Sequence, residues 1–402
     1  MKGLAISLYC LILVSLTQAK APFTKTRKFH LSTYWGENVR SNSEPGPSLQ
    51  SLCEKSPHFE IITLYSVNTH FSSKGKPGMS LSDYCTTPFA GYAANNGSSV
   101  LLYCPSVANE IKYCQSLGIK VLIAVVNTNP DTTLKNDNDG IAAANNIWNT
   151  FLGGSGDRPF PGVTLDGVEL MVRDSNAGYT AFVARLRSLI DKSGKEFYLA
   201  ASPRCSFPDA NIGPVYENLT LTTNPDFIDF LSVSFMSSPD CTYRNTDLFW
   251  TALWNWDNWA KSIPNMDVMI TLPASEYGGA PGDYIFPKDL AADNVLYQMQ
   301  QKFPRIKGIA VWDSRLDAEN KQCSNALIYS NIMDNLIDLQ RNSTVADQCI
   351  APSKTSTTTT VGNAGQTSKV CLYNCDGNAA ASNRAGTFLI LLPLFLGIFM
   401  ML

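Results

Sequence analysis

Gly162-Val163-Thr164-Leu165-Asp166-Gly167-Val168-Glu169-Leu170-Met171-Val172-Arg173-Asp174 reads as a buried parallel strand. Apolar residues dominate it, Pro161-Gly162 opens it, and the turn Ser175-Asn176-Ala177-Gly178 closes it. Side chains alternate along a strand, so Val168, Leu170 and Val172 share one face while Glu169, Met171 and Arg173 share the other. The first face is apolar enough to pack under helices. The second brings an arginine to the carboxyl end of a strand, where barrel enzymes keep their chemistry.

Outward from this stretch, hydrophobic runs and helical stretches alternate from about Ala21 to Cys349. The spacing predicts strands at His30–Trp35, Phe59–Val67, Ile119–Val126, Val163–Val172, Phe197–Ser202, Phe227–Phe235, Val268–Pro273 and Ile306–Trp312. Helical spacing lies between them, as in Tyr179–Asp191 and Asp289–Lys302. Eight strands alternating with helices over roughly 330 residues suit one (β/α)8 (TIM) barrel of the α/β class, with insertions. Periodicity alone leaves an open doubly wound sheet as the alternative. No glycine-rich phosphate loop follows the first strand, so nothing supports a dinucleotide fold.

The composition is ordinary for a globular chain: 402 residues, 45% hydrophobic, 16% charged, net charge -3. There is no electrostatic case for nucleic acid. Residues 1–19 have a basic start at Lys2, an apolar run and Thr17-Gln18-Ala19 as a cleavage site; they read as a secretory signal peptide, with an uncleaved anchor as the alternative. Thr387 to Leu402 is an uninterrupted apolar tail. It follows a small-residue run, Gly377 to Ala381, and a short polar spacer, Ser382 to Gly386. This matches a glycosylphosphatidylinositol signal over 379–402, with attachment at Asn378 or Gly377. A plain membrane-spanning tail is the alternative, but the run falls short of the ~20 residues a spanning helix needs. Residues 350–378, rich in Ser and Thr, read as an O-glycosylated stalk or a bare flexible linker. Of eleven cysteines, Cys10 lies in the signal peptide; the other ten are an even number suited to disulfides. Asn96, Asn218 and Asn342 open sequons and are candidate glycosylation sites, or unmodified surface turns. The expected protein is secreted and lipid-anchored at the outer face of the plasma membrane or in the cell wall.

The Asp166 stretch resembles the fourth-strand signature of glycoside hydrolase family 18, DGxDxDxE, in its plant and fungal class III chitinase branch. The first Asp and Gly stand as Asp166 and Gly167, whereas the next three signature positions are Glu169, Met171 and Arg173. Tyr34-Trp35-Gly36-Glu37-Asn38 resembles the first-strand YWGQN. Cys114 to Val121, Trp148 to Gly154, Leu272-Pro273-Ala274 and Gly308 to Trp312 are similar to the family's approach to the third strand, its approach to the fourth, and its seventh and eighth strands. The resemblance covers the region 20–349 and implies a closed barrel. It also implies bridges Cys53–Cys114, Cys85–Cys104 and Cys205–Cys241. Cys323–Cys349 and Cys371–Cys375 are the natural pairs for the remainder.

In that family the last signature Glu is the general acid/base, the substrate's N-acetyl oxygen is the nucleophile, and the middle Asp orients it. Here those two positions are Arg173 and Met171. Ser234 to Ser238 aligns with the family's QFYNN, which puts Met236 in place of a tyrosine that holds the acetamide, and the third-strand SxGG is Ala124-Val125-Val126-Asn127. A guanidinium stays protonated and cannot serve as general acid. Glu169 lies four residues earlier, roughly 13 Å down the strand. No intact catalytic set is therefore expected. Sugar-binding candidates are Tyr34, Asp166, Glu169 and Trp312, of which Tyr34 and Trp312 serve equally as barrel core. Glu169 and Arg173 are expected to form an ion pair, directly or through water. Trp250, Trp254, Trp256 and Trp259 are expected to pack in the core. His30, His58 and His70 lack zinc spacing, and no metal or cofactor is expected.

These features point to a catalytically silent, monomeric chitinase-like protein that binds chitin, another N-acetylglucosamine glycan, or a protein partner. The alternative is an active endo-chitinase with relocated carboxylates: fold analogy alone is a poor guide to function, but most chains with this barrel are enzymes.

Overall fold

The computed structural model describes residues 29–37, 46–71, 77–91, 100–127, 134–174, 177–213, 227–322 and 327–338. The signal peptide, the three sequons, Cys323, Cys349, Cys371, Cys375, the stalk and the anchor signal with Asn378 lie outside those residues.

The strands are β1 (His30–Trp35), β2 (Ile61–Phe71), β3 (Pro77–Met79), β4 (Lys120–Asn127), β5 (Gly167–Val172), β6 (Tyr198–Ala201), β7 (Phe230–Ser234), β8 (Asp267–Pro273) and β9 (Ile306–Trp312), with a small hairpin β10 (Lys321–Gln322) and β11 (Leu327–Ile328). All but β3 and the hairpin run parallel in one sheet. β1 pairs with β9 on one side, His30 opposite Gly308, and with β2 on the other, Ser32 opposite Ile61. That double pairing closes the sheet into an eight-stranded barrel and excludes the open alternative.

The helices are α1 (Leu49–Lys55), α2 (Pro105–Ser116), α3 (Asp137–Phe151), α4 (Tyr179–Ser193), α5 (Thr246–Lys261), α6 (Pro287–Ala292), α7 (Val295–Lys302), α8 (Ser314–Glu319) and α9 (Tyr329–Asp338). Their ends follow from local chemistry. Asn136 accepts the Asp139 N–H at 3.1 Å to start α3, with Asp137 and Asp139 in the first turn. Gly194, at φ 64°, ends α4. The main core lies between the outward strand faces, such as Val168, Leu170 and Val172, and the helices.

Every predicted strand forms, with ends moved by a few residues. The largest change is in the organising stretch: Val163–Asp166 is an approach, and β5 begins at Gly167. A Cβ at Gly167 would stand 2.2 Å from the Tyr198 carbonyl oxygen, so this position requires glycine for β5 to lie against β6. Three disulfides form as the resemblance implies: Cys53–Cys114, Cys85–Cys104 and Cys205–Cys241. The first ties α1 to α2.

Inward side chains fill the barrel in layers. Ile61, Leu122, Tyr198, Ala200, Phe230 and Met269 form an apolar floor near the amino ends of the strands. Above it comes a polar layer that includes Ser32, Thr63, Glu169, Ser232 and Thr271, all buried. Tyr34, Ala124, Val126, Met171 and Ala310 cap it, with Tyr65 and Trp312 packed against them at the carboxyl end. The interior is thus a packed core beneath a mouth.

Candidate functional site

Glu169 anchors the polar layer. Its Oε1 accepts the Tyr34 hydroxyl at 2.7 Å and its Oε2 accepts Thr63 at 2.8 Å. Burial pushes its carboxyl upward, opposed by hydrogen bonds from Tyr34, Thr63 and Ser232 and by the charge of Arg173. The same burial, with Glu169 beside it, holds the Tyr34 hydroxyl well above its usual range. Glu169 and Tyr34 are sealed at 2% and 1% exposure, so neither offers a surface to a sugar.

Arg173 follows β5 and is partly exposed at the mouth. Its guanidinium donates to the carbonyl oxygen and, at 3.3 Å, to the hydroxyl of Ser202, just past β6. The direct ion pair with Glu169 does not form: both Glu169 oxygens accept hydrogen bonds from Tyr34 and Thr63, and the guanidinium is bonded to Ser202, just past the adjacent strand, while its charge still acts on Glu169. Burial lowers the Arg173 pKa, an effect opposed first by Asp209 and reinforced by Arg204.

Trp312 stands at the carboxyl end of β9, partly exposed. Tyr34 lies beside it with centroids 5.0 Å apart, and Tyr65 meets it edge-on at 4.9 Å. Of the four sugar-binding candidates, Trp312 is the one that reaches the mouth. Asp166 is set apart from it. It precedes β5 at the amino end of the barrel, where its Oδ2 accepts the Val121 N–H and the Gln115 amide, each at 2.8 Å. Met171 fills the top of the barrel core, and Met236 sits partly exposed just past β7.

The mouth also holds two carboxyls that the sequence reading did not single out as site residues. Asp313, next to Trp312, is 1% exposed. Its Oδ1 caps α8 by accepting the Leu316 N–H at 2.9 Å, while its Oδ2 is buried without a hydrogen-bond partner among the described residues. Burial is the main reason its carboxyl is pushed up to about 7, with the nearby charge of Glu37 adding to it and the Leu316 and Arg315 N–H groups and the Arg315 charge opposing. Burial raises Glu37 as well. Asp313 was legible as a helix cap, an Asp that directly follows a strand and precedes α8.

Elsewhere, Trp256 is fully buried and Trp250 and Trp259 pack against the core, whereas Trp254 is 58% exposed, against expectation. At 100° per residue on α5, Trp254 lies about 200° around the helix from Trp256. Trp254 borders a cavity of about 540 Å³ with Trp250, Thr251, Lys302 and Phe303, away from the mouth. His30 bonds Glu60 at 2.8 Å and His58 bonds Ser330 at 3.0 Å. Among the described residues no group of three or more His, Cys, Asp or Glu is gathered to hold a metal.

No protein-family model matches the chain. Chitinase 1 of Rhizopus niveus is 32% identical over 302 residues, 74% of this chain and 56% of that protein. The chain spans about half the length of the first fungal chitinases it matches, 56, 51 and 51% of each. Among solved structures, a chitinase from Ipomoea carnea has a TM-score of 0.59 at 26% identity, covering 76% of this chain and 99% of that one. A xylanase and α-amylase inhibitor protein has a TM-score of 0.59 at 25% identity, covering 76% and 97%. The closed barrel is therefore that of the chitinase-like proteins. The chain belongs to glycoside hydrolase family 18, as a chitinase-like member of the fungal and plant class III type.

Proposed function

We propose that the chain is a non-hydrolytic chitinase-like protein that holds an N-acetylglucosamine-containing glycan at the barrel mouth. The observation that carries this reading is the side chain at the carboxyl end of β5. There, where the family resemblance calls for a proton donor, stands Arg173, with its guanidinium bonded to Ser202. Hydrolysis needs a group that gives a proton to the linkage oxygen, and a guanidinium retains its proton. Glu169, the carboxylate on the same strand face, lies one layer lower with both oxygens engaged. Binding asks less of the mouth. The partly exposed Trp312 and Tyr65 rings supply an apolar platform of the kind a pyranose face covers. The test is retention of the purified protein on chitin beads. Retention abolished by Trp312→Ala supports the reading, and no retention overturns it.

A second reading rests on Asp313 and Glu37. A carboxyl pushed up to about 7 beside Trp312 is a group with a pKa suited to general acid work. Under that reading the chain is a hydrolase with a relocated acid, and turnover of a chromogenic chito-oligosaccharide is lost on Asp313→Asn. The tail and stalk support display of the barrel outside the cell on a lipid anchor, and release of the protein from intact cells by a phosphatidylinositol-specific phospholipase tests that.

A further inference from the structure

The mouth is electrically lopsided. Glu37 and Asp313 stand on the β1 and β9 side, next to Trp312. On the opposite side, two arginines follow adjacent strands: Arg173 after β5 and Arg204 after β6. Both are held by their surroundings. The Arg173 guanidinium is tethered to Ser202, two residues before Arg204. The Arg204 main chain donates to Asp209 Oδ2 at 3.0 Å and bridges to Ser234 beside β7.

Among the described residues no carboxylate lies within salt-bridge distance of Arg173 or Arg204. Asp209 is the opposing charge that Arg173 feels first. Its two oxygens, however, are occupied by the N–H groups of Arg204, Asn211 and Ile212, and it is 3% exposed. It builds the loop and does not reach into the mouth. Arg173 spends two of a guanidinium's five N–H donors on Ser202, which leaves three without a partner among the described residues. Arg204 is exposed, and its charge is close enough to disfavour that of Arg173. Two arginines that follow adjacent strands, one bonded to the residue two places before the other, with donors to spare, make a site for an oxyanion, because their planar forks match carboxylate, sulfate and phosphate geometry.

Tyr65 connects the two sides. It packs edge-on against Trp312, and the charge of Glu37 raises its hydroxyl pKa while that of Arg173 lowers it. A sugar resting on Trp312 and Tyr65 thus has its substituents within the field of Arg173, and the Glu37 side repels any anion it carries toward the arginines.

Building on the glycan-binding reading above, we infer that Arg173 and Arg204 bind an oxyanion carried by the glycan, a uronic carboxylate or a sulfate or phosphate ester. A neutral N-acetylglucosamine polymer leaves both arginines unpaired. The preferred ligand is an acidic polysaccharide that presents its anion beside the Trp312 platform.

The test is calorimetric titration of the purified full chain with four probes: chitohexaose, a hyaluronan hexasaccharide, an oligosaccharide of N-acetylglucosamine 6-sulfate, and inorganic sulfate. An acidic oligosaccharide is expected to bind roughly tenfold or more tighter than chitohexaose. That advantage is expected to shrink as salt rises. Arg173→Gln and Arg204→Gln are each expected to remove most of it, read as the ratio of acidic-oligosaccharide to chitohexaose affinity within the same variant. Arg204 is exposed, so its variant remains informative even where Arg173→Gln disturbs folding. Preference for hyaluronan assigns the anion as carboxylate, and preference for the sulfated sugar assigns it as an ester. Equal affinity for neutral and acidic oligosaccharides, or a preference that survives both substitutions, overturns the inference but leaves glycan binding standing. Inorganic sulfate binding as tightly as the sulfated sugar also overturns it, since that is an adventitious ion only. Binding of no oligosaccharide at all overturns the glycan reading itself.

Discussion

Asp313→Asn isolates the physics of the mouth. Asp313 does two things with its carboxyl: Oδ1 caps α8, and Oδ2 is buried with no partner among the described residues. Asparagine keeps a carbonyl oxygen for the Leu316 N–H and removes the titration. Folding raises the carboxyl from 3.8 to about 7. At 1.36 kcal/mol per unit, that difference of about three units sets a ceiling of about 4 kcal/mol. The sign follows from proton counts. Between about pH 4 and pH 7 the folded state holds a proton that the unfolded state releases, so stability falls as pH rises through that window and the full penalty applies above it. For a barrel of roughly 300 residues the unfolding entropy is about 0.6 kcal/mol per kelvin, so 4 kcal/mol corresponds to about 6 °C. Glu169 and Asp317 are also raised by burial and slope the same way, but they are present in both proteins and cancel in the difference, whereas Glu37, whose charge adds to the shift at Asp313, is part of the effect measured. Thermal unfolding followed by circular dichroism at pH 4.5 and pH 8 reads the effect. The variant is expected to melt close to the parent at pH 4.5 and up to about 6 °C above it at pH 8. Parallel curves across that range would refute the reasoning, because they would mean that the buried oxygen is not penalised for its charge.

Tyr34→Phe removes the 2.7 Å hydrogen bond to buried Glu169 and is expected to cost about 1.5–3 kcal/mol in urea unfolding; a loss under 0.5 kcal/mol would mean the polar layer is not held by that contact. Arg187→Ala leaves the Phe227 carbonyl without its guanidinium donors and Asp229 without its 2.7 Å partner, and is expected to cost about 3–5 kcal/mol by the same measurement. Replacing both Cys53 and Cys114 by Ala opens a loop of sequence separation 61 between α1 and α2, with an expected loss of about 2–5 kcal/mol. Double mutants with unchanged urea midpoints would show that the bridge constrains nothing.

Much of the fold was legible because a barrel repeats its physics. Each buried strand is an apolar run, and the helices between them carry their own caps, so strand positions follow from pattern even where periodicity cannot show that β1 and β9 meet. Family-like tags supplied that closure and the three bridges. The site was harder, because its residues are placed by which end of a strand they occupy and by what their neighbours already satisfy. Asp166 reads as part of the strand but precedes it, so its carboxylate serves the Val121 N–H at the amino end. Glu169 and Arg173 share a face, yet pairing was decided by Tyr34, Thr63 and Ser202, contributed by β1, β2 and the end of β6. Sequence alone does not reveal such long-range partners. Trp254 differs: its exposed angle on α5 was available from helical spacing, and grouping the four tryptophans together concealed it.

The central claim is that a fixed cation stands at the carboxyl end of β5 and that no other group does its protonation. It is tested most directly by incubating purified protein with chitotetraose and following product formation by mass spectrometry from pH 4 to pH 8. The account predicts no cleavage above a buffer control at any pH. Turnover at an ordinary enzymatic rate, about 1 s⁻¹ or faster, would contradict it, and its loss on Asp313→Asn would identify the relocated acid.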